Sequence, residues 1–452
     1  MKKINVVIMI LLTSTAYTQT LDLEQARLLA LANSRSLARY ELAIRSSVLD
    51  ERSQLYTMLP QIDASYSASV NYFRNWEFVN PADTFTSGVN LSITQILFQG
   101  GKSFVQKAIA NISTESTRKD ALAEYFNVLD SVDNAYYAVL EAAATLEAES
   151  SSLQAAQLSF SIAEVRQSTG MINAGDYLKA MADKEARENS YNQARRNLTL
   201  NEARLRSLTG ITGAITLEQI DMSSYEQSLT RLSVITDEEA GFLYDEFWKI
   251  LAESNPSLAK AVLNSERAER NLSIARRDYA PTISATIFST GFGYSAAGGF
   301  SSTSSGGVTI RGSIPLDFWV LNNRLEKSAI ARDSAALDYI NAHSSLENDL
   351  QSALLNIFAQ AGSVLSSRRS LEYTERHYEF VMERYRLSLS SVSELTDASS
   401  LYITSRNSHI RSTYSFLQSL SRLRSLCALD DEGRLLGLLL HRLSTPMTQT
   451  PD

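Results

Sequence analysis

Two long tracts of the sequence are almost free of residues that break helices. Residues 102–208 contain no proline and only two glycines, which lie together in the segment STGMINAGDY. Residues 324–426 contain no proline and a single glycine. A helix over residues 102–169 would extend about 100 Å, far beyond an ordinary globular helix. Each tract therefore predicts two long helices joined by a turn, at about 102–169 and 176–208 and at about 324–386 and 394–426.

An internal repeat organises the chain. LPQIDAS at 59–65 recurs as APTISAT at 280–286, an offset of 221 (280 − 59). RLRSL at 204–208 recurs identically at 422–426, an offset of 218 (422 − 204). Similar offsets at separated places indicate a duplicated unit. The predicted organisation is therefore a signal peptide, a first repeat, a connection, a second repeat and a tail, at residues 1–16, 17–208, 209–245, 246–426 and 427–452.

Four shorter segments alternate apolar and polar residues, which is the pattern of a β-strand with one apolar face. In QIDASYSASVNYF, Ile62, Tyr66 and Val70 fall on one face, with serines on the other. The third segment is less regular, because Phe288 breaks its alternation, and we expect a bulge or an early strand end there. The predicted strands suit a tilted crossing of an outer membrane and lie at Gln61–Phe73, Phe85–Phe98, Thr282–Tyr294 and Gly307–Phe318.

The first residues predict export from the cytoplasm. Lys2 and Lys3 precede an apolar run, Ile4–Leu12, and the small residues STA follow it, as in a secretory signal peptide. The single cysteine, Cys427, allows no internal disulfide and offers no lipid attachment at the cleavage site. A net charge of −8, without any block of lysine and arginine, argues against a nucleic-acid partner.

Four strands are too few to close a membrane barrel. A sheet in a bilayer cannot leave an edge in hydrocarbon, and the smallest bacterial barrels have about eight strands. Several copies of the chain must therefore share one barrel, which would have eight strands in a dimer and twelve in a trimer. The strand count alone leaves both possibilities open.

The order of motifs resembles the TolC family of outer-membrane efflux proteins. The resemblance covers about residues 21–426 and rests on LDLEQARLLALANSRSL, LPQIDASYS, LSITQILFQGGK, RQSTGMINAGDYLKA, ARLRSLTG and a second copy with SIPLDFW. It implies a mainly α fold with a small β part, and a homotrimer whose 12-stranded β-barrel continues into a periplasmic barrel of 12 helices. It also implies an outer-membrane exit duct for small molecules or polypeptides, which docks onto a periplasmic adaptor and an inner-membrane transporter.

The resemblance also implies which residues form the periplasmic mouth. In the segment YRLSLSSVSELTDA, Glu394 and Asp397 occupy the positions of a family ring of acids, although a helix N-terminus favours acids in any protein. Asp176 and Tyr385 match a family pair whose hydrogen bond would hold the mouth shut. Ser390 stands where some members have an arginine, so a charge-locked gate is not expected here.

No motif for catalysis is present. The four histidines are far apart in the sequence, and no metal-ligand spacing, phosphate loop or nucleophile elbow occurs. We therefore expect neither enzymatic activity nor a metal or cofactor. The alternative to a duct is an exported, non-conducting helical rod that bridges the envelope, which would keep the long helices but would not require alternating strands. The sequence does not indicate the cargo.

Overall fold

The computed structural model of the chain describes residues 20–441 except for 71, 75–76, 79–84, 296–298, 302–304 and 431. The predicted signal peptide lies outside the described residues, as does the end of the tail beyond residue 441. The described chain is mainly α-helical with a small β part, as the resemblance implies.

The helices include two that are far longer than the rest, because no proline interrupts them. None of the helices in the described ranges combines the length and hydropathy that a membrane crossing needs. Numbered along the chain, the helices are α1 (Leu23–Asn33), α2 (Arg35–Tyr56), α3 (Lys102–Ser168), α4 (Ala174–Thr209), α5 (Glu226–Leu232), α6 (Asp237–Ser254), α7 (Pro256–Arg277), α8 (Phe318–Arg386), α9 (Val392–Leu426) and α10 (Glu432–His441).

The strands form one main sheet and two small pairs. In the main sheet the long strands follow the antiparallel order β2-β5-β7-β9, and β8 pairs with one end of β7. β1 pairs with β6 in parallel, and β3 pairs with β4. Their bounds are β1 (Thr20–Leu21), β2 (Gln61–Ser69), β3 (Phe73–Arg74), β4 (Glu77–Phe78), β5 (Thr86–Phe98), β6 (Thr216–Leu217), β7 (Thr282–Ser295), β8 (Gly299–Ser301) and β9 (Ser305–Ser313).

The chain divides into two compact units. The second unit comprises Ser36–Glu124 and Ala252–Asn348 and contains the main sheet. The first unit comprises the described residues of Met1–Arg35, Tyr125–Leu251 and Asp349–Asp452. It contains both turns between long helices, α3 to α4 and α8 to α9.

A buried ion cluster lies in the core of the first unit. The carboxylate of Asp133 on α3 is fully buried and accepts hydrogen bonds from Arg27 of α1 at 2.7 and 2.8 Å. Arg424 of α9 donates to the same carboxylate at 2.6 Å. Removing one member of such a buried cluster is costly, because the remaining charges stay desolvated. The cluster therefore fixes α1 and α9 against α3.

The register of the main sheet places residues of like polarity in rows that cross all four long strands. One row consists of Ile62, Ile93, Ile287 and Val308. The adjacent row, on the opposite face, consists of Gln61, Thr94, Thr286 and Thr309. The terminal residues of the apolar row, Ile62 and Val308, are 70% and 68% exposed. The sheet therefore has one apolar face and one polar face, and the apolar face is uncovered.

The two outer strands of this sheet each have an unpaired edge within the described residues. β2 pairs only with β5, and β9 pairs only with β7. Each outer strand is nine residues long. Each thus presents a row of backbone N–H and C=O groups without a partner strand.

Two predicted strand ends lie several residues beyond those in the structure, and the other predicted limits agree within one or two residues. β2 ends at Ser69 rather than Phe73, because its partner strand begins at Thr86, which is paired with Ser69. β9 ends at Ser313 rather than Phe318, since Pro315 lies just beyond and has no N–H to donate. The following helix α8 begins at Phe318 instead of residue 324. Its first backbone hydrogen bonds go to the carbonyl of Asp317, a residue type favoured before a helix.

The break expected at Phe288 does not occur there. β7 continues to Ser295, and Phe288 pairs with Ser92 on one side and Gly307 on the other. A Cβ atom at Gly307 would lie only 3.1 Å from the Phe288 ring, so glycine makes room for that ring. The register shifts lie elsewhere, beside Gly88 and beside Ile96.

Candidate functional site

The two turns between long helices have the same backbone geometry. Gly170 and Ser388 both lie in the left-handed region, with φ of 74° and 62°. Their positions differ by the same offset, 388 − 170 = 218, at which RLRSL repeats. In both turns the next residue donates its N–H to a carbonyl five residues back at 2.8 Å, Met171 to Arg166 and Leu389 to Arg384. Both helices thus end in a Schellman motif.

The helices that leave the turns are capped alike. The Asn173 side chain accepts from the backbone N–H of Asp176 at 2.8 Å, and the Ser391 side chain accepts from that of Glu394 at 3.1 Å. Asp176 and Glu394 therefore occupy equivalent positions, again at the offset of the repeat (394 − 176 = 218). A carboxylate in the first helical turn is stabilised by the helix dipole. The repeat thus places one acid at the start of each returning helix.

Glu394 and Asp397 lie one helical turn apart on α9, and each has a basic neighbour. Glu394 accepts a hydrogen bond from Ser390 Oγ at 2.7 Å and lies 3.8 Å from Arg384 Nη1. Asp397 Oδ1 lies 3.7 Å from Lys179 Nζ of α4. The side chains of Glu394 and Asp397 are 43% and 75% exposed. The predicted acids are therefore accessible, but neither is isolated from a positive charge.

Tyr385 and Asp176 lie in the same turn region without a hydrogen bond between them. The Tyr385 hydroxyl donates to the Ser159 carbonyl at 3.4 Å, while the Asp176 carboxylate accepts from Asn173 Nδ2 at 3.0 Å. Tyr385 instead contacts Arg166, which donates to its backbone carbonyl at 2.6 Å and lies 4.5 Å from its ring centroid. The predicted pair is thus not formed in this structure, and an arginine–tyrosine contact takes its place.

The Tyr385 side chain is fully buried beneath the turns. The pKa of the Tyr385 hydroxyl is raised, chiefly because the group is buried. The Asp176 carboxylate also raises it, whereas the Arg166 guanidinium and the bond to Ser159 lower it. The hydroxyl therefore remains a donor at neutral pH. The apolar cluster around it joins all four helices of the two turns and contains Ala163, Ala180, Val381, Met382, Val392, Leu395 and Ala398.

Sequence reasoning missed the basic residues of this region. Arg166 and Arg384 are also separated by the offset of the repeat (384 − 166 = 218), so the repeat itself contained a signal for them. Lys179 is the repeat equivalent of Asp397 (397 − 179 = 218), but this correspondence alone does not predict their contact, which joins helices that are far apart in sequence.

The geometry defines a class of protein. A sheet with one polar face and one uncovered apolar face is typical of the strands of outer-membrane barrels. The chain belongs to the outer membrane efflux protein family, whose model matches residues 27–211 and 249–428, one segment in each repeat. The chain is therefore an outer-membrane protein of efflux, with a periplasmic helical part, and not an enzyme. This confirms the resemblance found in the sequence.

Solved membrane proteins have a similar fold. The Campylobacter jejuni CmeC outer membrane channel has a TM-score of 0.74 and 16% identity, over 95% of this chain and 90% of that chain. A membrane protein from Pseudomonas aeruginosa has a TM-score of 0.74 and 17% identity, over 91% of each chain. VceC from Vibrio cholerae has a TM-score of 0.72 and 14% identity, over 90% of this chain and 96% of that chain. At these identities the likeness establishes the fold alone. No curated protein sequence matches this chain.

The two turns allow a matched test of backbone strain. We predict that Ser388→Gly stabilises the protein by about 0.5–1 kcal/mol, because glycine adopts the left-handed conformation without a steric cost. Gly170→Ser should destabilise it by a similar amount, since a Cβ atom at Gly170 meets nothing within 4 Å and only the backbone cost remains. Urea denaturation of the detergent-solubilised protein would measure both. If both substitutions changed the free energy of unfolding in the same direction, backbone strain at Ser388 would be contradicted.

Proposed function

We propose that the chain forms the exit duct of a tripartite export system. Three copies would contribute four long strands each to a twelve-stranded barrel in the outer membrane, continued across the periplasm by twelve helices. The observation that carries the proposal is the four-stranded sheet with an uncovered apolar face and two unpaired edges.

The unpaired edges support a barrel that is shared between copies. In hydrocarbon, each backbone N–H and C=O group needs a partner within the protein, so β2 of one copy would pair with β9 of the next. The apolar row would then face lipid, and the polar row would face a water-filled lumen. Eight strands would leave a lumen filled by side chains, whereas twelve leave room for cargo. Family membership supports the trimer over the dimer.

The partners would be a periplasmic adaptor and an inner-membrane transporter. An outer-membrane duct has no energy source of its own, so a pump in the inner membrane must drive transport. Family membership supports this arrangement. The cargo would be small molecules or polypeptides, and the mouth residues described above do not select among these classes.

A non-conducting envelope rod is the competing function. A rod would use the long helices and the buried ion cluster in the same way. In such a rod, the side chains of Ile62 and Val308 would be exposed to water, where apolar side chains favour aggregation. The uncovered apolar row therefore favours the duct.

Membrane extraction separates the two functions. We expect the mature protein to stay in the outer-membrane fraction after washes with salt and with urea, and to be released by detergent. The reason is that a barrel in lipid is held by apolar burial, whereas a peripheral rod is held by polar contacts. Release of most of the protein by urea alone would contradict the duct.

The mouth of the duct would lie at the two helix turns. Glu394 and Asp397, repeated in three copies, would surround the lumen at its periplasmic constriction. Tyr385 would hold the mouth closed through packing, and in the closed assembly its hydroxyl would bond to Asp176. The contact of Arg166 with Tyr385 would hold α3 against α8 where the family arginine is replaced by Ser390.

Removal of one hydroxyl tests this closure. Tyr385→Phe keeps the ring that Arg166 covers and removes only the hydroxyl, so we expect the ratio of open to closed channels to rise by about fivefold or more. Single-channel recording in planar bilayers measures this ratio. Tyr378→Phe is the matched control, since this residue lies on the same helix and its ring is stacked on Tyr402. Equal behaviour of Tyr385→Phe and wild type would contradict a gate at Tyr385.

A further inference from the structure

Both acids of the proposed mouth are accompanied by a base of the same chain. Lys179 projects from α4 between two residues of α9, with its Nζ 2.6 Å from Ser393 Oγ and 3.7 Å from Asp397 Oδ1. Its other acidic neighbour, Asp183, is held by Arg187 at 3.3 Å. Lys179 is therefore the cation that accompanies Asp397.

Arg384 has the same relation to Glu394. Its Nη2 donates to the Leu389 carbonyl at 3.0 Å, and its guanidinium lies 5.7 Å from the ring centroid of Phe380. These contacts hold the arginine at the turn, with Nη1 3.8 Å from Glu394. The two acids of each chain are thus matched by two bases at similar distances.

These ion pairs affect the electrostatic potential at the proposed mouth more than they affect the stability of the fold. Exposed ion pairs add little to folding free energy. A charge in a channel is sensed by passing ions over about the Debye length, about 8 Å at physiological ionic strength. Lys179 lies well within that distance of Asp397, so a passing ion meets a small dipole in place of a full negative charge.

We infer that Lys179 sets the charge selectivity of the mouth by neutralising Asp397. The inference rests on the proposed function, because it requires the turns to line a conducting lumen. With Arg384 beside Glu394 as well, the constriction carries almost no net charge from these four groups. The duct then passes anionic and cationic solutes with little preference, although two acids of each chain form its ring.

The chain offers a matched control for the loss of one positive charge. Lys184 also lies on α4, but its Nζ is 3.4 Å from Glu185 Oε1 and 5.5 Å from the ring centroid of Phe160. Lys184→Gln removes the same charge as Lys179→Gln without exposing Asp397. A difference between the two variants therefore reports the Lys179 position and not the overall charge of the channel.

The inference is tested by measuring the reversal potential of wild-type and variant channels in planar bilayers under a potassium chloride gradient. Lys179→Gln should raise the ratio of potassium to chloride permeability by at least about twofold, because Asp397 is then uncompensated. Lys184→Gln should leave the ratio unchanged. Adding Asp397→Asn to Lys179→Gln should return the ratio to the wild-type value.

The outcomes separate this inference from the proposed function. If wild type conducts and Lys179→Gln does not change the permeability ratio, or changes it no more than Lys184→Gln does, the inference is wrong and the duct stands. If wild type forms no channels at all, the proposed function fails. Circular dichroism of each variant establishes that the substitutions leave the helices intact.

Discussion

The pairing of backbone groups in hydrocarbon is the constraint on which the rest of this structure depends. The main sheet ends in β2 on one side and β9 on the other, and neither outer edge has a partner strand within the described residues. Its apolar row, from Ile62 to Val308, is uncovered. The unpaired edges gain partners if the edge of one copy pairs with the edge of the next, and the apolar row is covered if it contacts lipid. In the proposed duct, a single chain would therefore be one part of a barrel shared between copies.

The two turns between long helices share one backbone arrangement. One backbone solution, a left-handed residue followed by a side-chain cap and an acid, is used twice in the chain. The two copies differ in a few side chains. Gly170 is replaced by Ser388 in the second copy, and Arg166 contacts Tyr385 whereas Arg384 contacts its own turn. The duplication thus accounts for the common backbone, and a few side chains distinguish the two turns of the proposed mouth.

Local patterns made part of this structure predictable. Alternation along QIDASYSAS indicates a strand because side chains in a strand alternate between its faces, and the absence of proline indicates the long helices for a similarly local reason. Other features depend on distant partners. Phe288 does not break its strand because Gly307 lies across from it, and Lys179 meets Asp397 only when α4 packs on α9. The repeat relates Lys179 to Asp397 by its offset (397 − 179 = 218), but no pattern near Phe288 or Lys179 shows which residues pack against them.

The native mass of the detergent-extracted mature protein tests the central claim most directly. The claim is that four strands per chain are too few to close a barrel, so copies must share one. Three chains per particle is the result that a twelve-stranded barrel predicts. A stable monomer, with the strand edges of β2 and β9 protected from amide hydrogen exchange, would contradict it.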